Sequence, residues 1–299
     1  MSQYMRKHQT LEPVDESVTD RTTMPFVSEN HGTSGPVRTS FNPWKLDIED
    51  DVVKAADKVT GYDKKPTDPW SGDHIGFYHT LATIARTGKN KGKRSYAARG
   101  FYEPNAGRSN LSVTTDALIT QILLDGDQAT GAIFRSGGQE YTVKAKREVI
   151  VCAGAVGSPQ ILELSGIGNP DVLRSAGIQC KVENRAIGEN FQDHIVMGLV
   201  FETPELSTLD AIAKPEVVQQ AMAQYQENGA GPLATTSTVQ GFLPVKKFAT
   251  QSELEQMVSS IENIQDQTEY SKKQRETVIT HIKDEKSADL QVSFRQAAA

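Results

Sequence analysis

The residues best placed by type and spacing to do chemistry lie between Glu148 and His194. Val149-Ile150-Val151-Cys152 is an unbroken apolar run, the form a strand takes when both its faces are covered. Ala153 and Gly154 follow, small enough for a ligand or a second backbone to come close. Ser158-Pro159 reads as the N-cap and first residue of a helix. Ile161, Leu162 and Leu164 give that helix an apolar face, and Gly166 ends it as a left-handed cap. A buried strand, a small-residue turn and a helix N-terminus together aim free N–H groups and a partial positive charge at one point, which suits a phosphate. The same order of elements occurs in many α/β cores, so the physics alone leaves both readings open.

The other chemistry-bearing side chains are sparser. Among the six histidines, His74 and His79 are five apart, which fits neither one face of a helical metal site nor a zinc spacing. His8, His31 and His281 have no acidic or cysteine neighbours in sequence that mark a site, and no Ser/His/Asp arrangement is legible. Cys152 and Cys180 are the two cysteines, too few for a disulfide framework; Cys152, in the apolar run, reads as a small core residue.

The identity of the residues narrows the alternatives. Gly154-Ala155-Val156-Gly157-Ser158-Pro159-Gln160-Ile161-Leu162-Glu163-Leu164-Ser165-Gly166-Ile167-Gly168 resembles, position by position, the second signature of the glucose–methanol–choline (GMC) oxidoreductases. Gly188-Glu189-Asn190-Phe191-Gln192-Asp193-His194 is similar to a second family segment, with Phe191 in place of the usual Leu. His31-Gly32, Gly35-Pro36-Val37 and Gly92-Lys93-Arg94-Ser95-Tyr96-Ala97-Ala98 continue the resemblance. Two long motifs at the family's separation are far more specific than a lone glycine pattern.

The resemblance implies FAD as cofactor and oxidation of the CH–OH group of a small-molecule alcohol. It implies that Ile119 touches the adenine through its backbone and that Cys152, Ala153 and Gly154 lie near the ADP moiety. His194 belongs in the family to a structural segment and is not the catalytic base, so internal partners are expected for it. A full family member also carries a Gly-x-Gly-x-x-Gly turn and a His-Pro-x-Gly-Thr-like segment holding the base. Neither is found here: the nearest approach, Gly166-Ile167-Gly168, has Asp171 where the third glycine should be. The match therefore covers the central half of a family member. Two functions follow: an FAD-dependent oxidoreductase by family, with these 299 residues alone inactive, or a truncated non-catalytic remnant without redox activity.

The elements that must position these residues can be read in outline. The formal net charge is −6, from 32 basic and 38 acidic side chains, which argues against a nucleic-acid partner. No run approaches the roughly 18 apolar residues of a membrane span. Residues 1–30 are polar; as a true N-terminus they would be a loose arm, while the resemblance places them in the middle of a family chain, as the charged segment that follows the flavin-binding helix. Apolar spacing predicts a helix over 46–59, a β-meander over 110–145 (strands at 111–114, 117–124, 132–135 and 141–145), and a helix over 215–228 with Val217, Val218, Ala221, Met222 and Tyr225 inward. Ser252-Glu253-Leu254-Glu255 reads as a capping box, a further helix covers 270–283, and 290–294 alternates as a half-buried strand. The basic cluster Lys89, Lys91, Lys93, Arg94 reads as a solvated turn. The fold class is α/β with an α+β portion. An incomplete FAD-binding, Rossmann-like domain with a β-meander spans 1–202. An incomplete substrate-binding domain with an antiparallel sheet and helices spans 203–299.

Overall fold

The structure, a computed structural model, describes residues 2–25, 30–66, 68–202, 208–210, 214–265 and 268–294. In chain order the elements are α1 (Ser2–Lys7), β1 (Gln9–Leu11), β2 (Val37–Thr39), α2 (Asp47–Thr60), β3 (Gly76–His79), β4 (Leu118–Asp125), β5 (Gln128–Ser136), β6 (Gln139–Lys144), α3 (Gly154–Leu164), β7 (Ile167–Gly168), α4 (Pro170–Ser175), β8 (Val182–Glu183), α5 (Pro215–Asn228), β9 (Val239–Leu243), α6 (Gln251–Glu262), α7 (Glu269–Ile282) and β10 (Leu290–Ser293). The chain divides into two compact units. Residues 108–201 form one, and 1–107 with 202–299 form the other, so one junction falls at Phe201/Glu202.

In the discontinuous unit, β9 is the middle strand of an antiparallel sheet ordered β10-β9-β3. Its core is Val53 of α2, Phe77 of β3, and Val239 and Leu243 of β9, with Val52, Ala56, Tyr62 and Phe294 packed around them. The sequence makes α2 for identifiable reasons. Ile48, Val52, Val53 and Ala56 share one face. Glu49 reaches back to accept the N–H of Leu46 at 3.2 Å, and Gly61, at φ 73°, closes the far end with its N–H on Asp57 O. α5 runs from Pro215 to Asn228 with a left-handed Gly229 after it, as the sequence predicts. Of its expected inward face, Val217, Ala221 and Tyr225 are covered while Val218 and Met222 are exposed.

Several elements of this unit differ from the sequence reading. The N-terminal stretch is not a loose arm: β1 pairs in parallel with β2, and Thr10, Glu12 and Thr23 are buried. The cap of α6 is Thr250, whose hydroxyl accepts from Glu253 N–H, so the capping box sits two residues before the one read from Ser252. β10 is exposed along its whole length, because it is the edge strand and only Phe294 beyond it enters the core.

The continuous unit carries the meander, ordered β4-β5-β6. Two-residue turns join its strands, and the second, Gly137-Gly138, has both φ angles positive, as a type I′ hairpin turn requires. Residues 111–114 form no strand and are exposed. α3 packs on β4. Residues 149–152, read as a buried strand, form no ladder, and Ile150 and Cys152 are exposed. An apolar run is strand-like only when a neighbouring strand accepts its hydrogen bonds, and no such neighbour is present among the described residues. Parallel pairing there is confined to β1–β2 and β7–β8. The architecture is thus mixed α and β with mainly antiparallel sheets.

Candidate flavin-facing site and a buried histidine cleft

All four residues assigned by resemblance lie in the 108–201 unit. Cys152 and Ala153 lead directly into α3, which begins at Gly154, five residues before Pro159, the start that a Ser158 cap would give. Pro159 therefore stands inside the helix, and Ser158 works in the opposite direction to a cap: its Oγ accepts the N–H of Ala153 at 3.1 Å. Gly154 has φ 83°, and a Cβ there would meet no atom within 4 Å. Glycine is thus required by the backbone conformation, and the space over it is open. The first-turn N–H groups of α3 have no intrahelical partners. A glycine left open at an eleven-residue helix start is a fit for part of an anionic cofactor. Cys152 is a free, exposed thiol beside it, not the core residue expected from the sequence.

Ile119 lies on β4, the edge strand of the meander, opposite Phe134 and next to a register shift between Ile119 and Gln121. On an edge strand alternate N–H and C=O groups point away from the sheet, the geometry that a backbone contact to a base needs. One of these groups is already used: Ile122 N–H donates to Ser165 Oγ at 2.7 Å, and Ser165 in turn donates to Ile161 O. The edge of β4 therefore faces the C-terminal end of α3. Gly166 follows in the left-handed region at φ 86°, as the sequence predicts. His194 is exposed, with its backbone N–H on Asp193 Oδ1, so the internal partners expected for it are not formed.

The other unit holds a site that the sequence reading missed. A cleft of about 170 Å³ is lined by Asp20, Phe41, Lys45, Asp50, His79 and Thr238, among others. His79 ends β3 and is buried. Its Nε2 lies 3.0 Å from Asp50 Oδ1 and its Nδ1 lies 3.1 Å from Thr238 Oγ1. Burial on its own would raise the Asp50 carboxyl; hydrogen bonds from Lys45, Thr23 and His79 outweigh it and hold Asp50 down at about 2. An ionised Asp50 accepts a hydrogen bond from Nε2–H, which leaves Nδ1 to accept from the Thr238 hydroxyl. Burial lowers the His79 pKa, against the pull of Asp50, so the neutral ring is favoured. Thr238, His79 and Asp50 thus form a hydrogen-bonded row of hydroxyl, imidazole and carboxylate. Sequence reasoning could not find it, because the partners stand 29 and 159 positions from His79.

Of the remaining histidines, His8 and His281 are exposed, and His31 and His74 are held by neighbouring groups. His31 is buried, accepts from Gln9 Nε2 at 3.0 Å through Nδ1, sits edge-on to Trp70 and has Asp68 4.0 Å from Nε2. His74 Nδ1 bonds Gly72 O. Lys89, Lys91, Lys93 and Arg94 are exposed, as a solvated turn would be. Among the described residues no His/Cys/Asp/Glu group is arranged for a metal, and no helix is long and apolar enough to cross a membrane.

Comparison with known proteins bears on both units. Residues 16–196 match the family profile described as GMC oxidoreductase. The chain belongs to the GMC oxidoreductases. The dehydrogenase citC of Monascus ruber is 35% identical over 303 residues, covering 96% of this chain and 48% of that protein. An oxygen-dependent choline dehydrogenase of Pectobacterium atrosepticum is 36% identical over 180 residues, 60% of this chain and 31% of the relative. Among solved structures, an FAD-dependent oxidoreductase from Chaetomium thermophilum superposes with a TM-score of 0.83 at 22% identity, over 99% of this chain and 53% of that one. A fungal aryl-alcohol oxidase follows at 0.78 and 16% identity, over 98% and 52%. These two show a shared fold. The chain spans about half the length of the curated GMC relatives that it matches over most of its own length.

Proposed function

We propose that the chain takes part in FAD-dependent oxidation of the CH–OH group of a small-molecule alcohol, as part of a GMC-type oxidoreductase. The observation that carries this reading is the family match over residues 16–196, with 35% identity to a Monascus ruber dehydrogenase across 96% of the chain beside it. Bound flavin supplies the hydride acceptor. The chain's own contribution is positional. Ile119 on the edge of β4 offers its backbone to the adenine. Cys152, Ala153 and Gly154 at the start of α3 approach the ADP moiety, where the open face of Gly154 leaves room and the helix end favours negative charge. Residues 1–202 contribute the flavin side and 203–299 the substrate side. The His-Pro-x-Gly-Thr-like segment that holds the base in the family is not found in the sequence, and on this reading the 299 residues on their own turn over no alcohol.

The test is the visible absorption spectrum of the purified chain with and without added FAD, read together with thiol labelling of Cys152. Flavin held at this site gives a protein-bound band and slows labelling of the exposed Cys152 while leaving Cys180 unchanged. A band without protection of Cys152 moves the flavin elsewhere. Neither band nor protection at saturating FAD refutes a cofactor role for these residues and supports the non-catalytic remnant.

A further inference from the structure

The 108–201 unit leaves one edge of its meander open. β4, at one end of the order β4-β5-β6, is engaged: α3 packs on it, and its Ile122 N–H is spent on Ser165 Oγ. β6, at the other end, has β5 on its inner side and, among the described residues, no strand on its outer side. All six of its residues, Gln139–Lys144, are exposed. The register shows which of its backbone groups are free. Gly131 stands opposite Lys144, so Thr130 stands opposite Ala145, and that pair is bonded, with Ala145 N–H on Thr130 O at 2.8 Å. Bonded and unbonded pairs alternate along an antiparallel ladder. Tyr141 and Val143 therefore turn their N–H and C=O groups towards β5, and Glu140, Thr142 and Lys144 turn theirs outwards.

An open edge is a template for another strand, and proteins commonly guard it with charge. Here the charges suit a copy of the same strand. Glu140 and Lys144 have opposite signs and stand two residues either side of Thr142. A second β6 laid antiparallel on the first, with the twofold axis at Thr142, sets Thr142 opposite the partner's Thr142 and Glu140 opposite the partner's Lys144. Every outward N–H and C=O of Glu140, Thr142 and Lys144 then finds a partner, because these are the residues that form the bonded pairs. An axis at Glu140 or at Lys144 would instead set like charges face to face, which is destabilising. The side chains agree with the backbone. Arg135 Nε is 3.4 Å from Glu140 Oε2, so Glu140 comes to stand between Arg135 and the partner's Lys144. On the other face Tyr141 and Val143 are 44% and 50% exposed, and Tyr141 stacks on Phe134 at 5.3 Å. The pairing lays Tyr141 against the partner's Val143 in an unbonded pair, where cross-strand side chains come closest.

We propose that β6 is a self-association edge, on which a second copy of this chain adds its own β6 about a twofold axis at Thr142 and turns two three-stranded meanders into one continuous sheet. The pairing uses neither the β4 edge nor the start of α3. It needs no flavin and no alcohol, so its failure and failure of the functional reading are distinguishable.

The experiment is sedimentation velocity of the full chain over roughly 5 to 500 µM, the range suited to the weak dimer that one strand pair gives, with hydrogen exchange read on β6 at both ends of the series. The expected result is a monomer–dimer equilibrium in which the Glu140, Thr142 and Lys144 amides gain protection with concentration, while those of Tyr141 and Val143, already bonded to β5, change little. Lys144→Glu sets two carboxylates opposite each other at both ends of the pairing and weakens the dimer about 10-fold or more. The charge swap Glu140→Lys with Lys144→Glu restores opposite signs and brings the dimer back to within about 3-fold of wild type. Thr142→Pro removes only an outward N–H, which an edge strand tolerates, and also weakens the dimer about 10-fold or more with the circular dichroism unchanged. The proposal is overturned by a chain that stays monomeric over the whole series, by association that Lys144→Glu or a folded Thr142→Pro leaves unchanged, or by a dimer that the charge swap does not restore.

Discussion

Replacing Asp50 with Asn tests the cleft of the discontinuous unit. The carboxylate is bound by Lys45, by the Thr23 hydroxyl at 2.7 Å and by His79 Nε2 at 3.0 Å. Its pKa falls from 3.8 to about 2 on folding, so the folded state prefers the ionised form by about 2 kcal/mol. The sign follows from which state binds the proton first as pH falls. The unfolded chain protonates near 3.8 and the folded one near 2, so this stabilisation is complete well above 3.8 and is lost as the pH drops towards 2. At pH 7 the Asn variant should lose about 2 kcal/mol, and at pH 3 roughly half of that, about 1 kcal/mol. Urea unfolding followed by tryptophan fluorescence reads this cleanly, because Trp44 and Trp70 are the two tryptophans and both belong to this unit. A penalty below about 0.5 kcal/mol at pH 7, or one equal at the two pH values, would refute the assignment of Asp50 as the charged anchor of the network.

Other outcomes follow from neighbouring geometry. Because burial lowers the His79 pKa, the unfolded chain takes up its proton first below about 6.5, so wild-type stability declines from pH 7 to pH 5; His79→Gln should flatten that decline in the same urea assay. Arg86 is buried, donates to Ser40 Oγ, Ala234 O and Asn42 Oδ1, and has Glu12 bonded to its own backbone N–H. Arg86→Ala should cost about 3–5 kcal/mol by leaving that polar cluster uncompensated, measured by the urea midpoint. Gly241→Ala places a Cβ 2.3 Å from the Phe77 ring in the core and should cost about 1–3 kcal/mol in the same titration. Ser165→Ala leaves the buried Ile122 N–H without its acceptor and should cost about 1–3 kcal/mol; hydrogen exchange of the β4–β6 amides reports it, since the 108–201 unit has no tryptophan.

The sequence announced elements whose boundaries carry their own chemistry. Pro215 at a first turn and Gly229 in a left-handed cap bracket α5 without help from the rest of the fold. Gly137-Gly138 does the same for the second hairpin. Elements defined by a distant partner were hidden. β1 is three residues long, too short for any periodicity, and exists because Val37–Thr39 lies beside it. The run 149–152 shows the converse: its composition states that it suits burial and says nothing of whether a neighbour is there to bury it. Ile119, Cys152, Ala153 and Gly154 were assigned to flavin through resemblance alone, since an Ile on an edge strand and a Cys-Ala-Gly turn have no chemistry of their own. The Asp50–His79–Thr238 row was illegible because it is assembled from a helix, a strand end and the approach to β9.

The inserted arrangement of the two units governs the order in which the chain can fold. Residues 108–201 are contiguous, and their hairpins close through short loops, so this unit can complete soon after its last residue leaves the ribosome. The other unit must wait. Phe77 pairs with Gly241, and the sheet is finished only when Leu290–Ser293 joins β9. Throughout that interval Phe77 and Tyr78, buried in the finished structure, have no β9 to cover them. Residues 1–107 therefore stay open longer than the unit inserted after them, and the sheet they begin is finished only when β9 and β10 arrive.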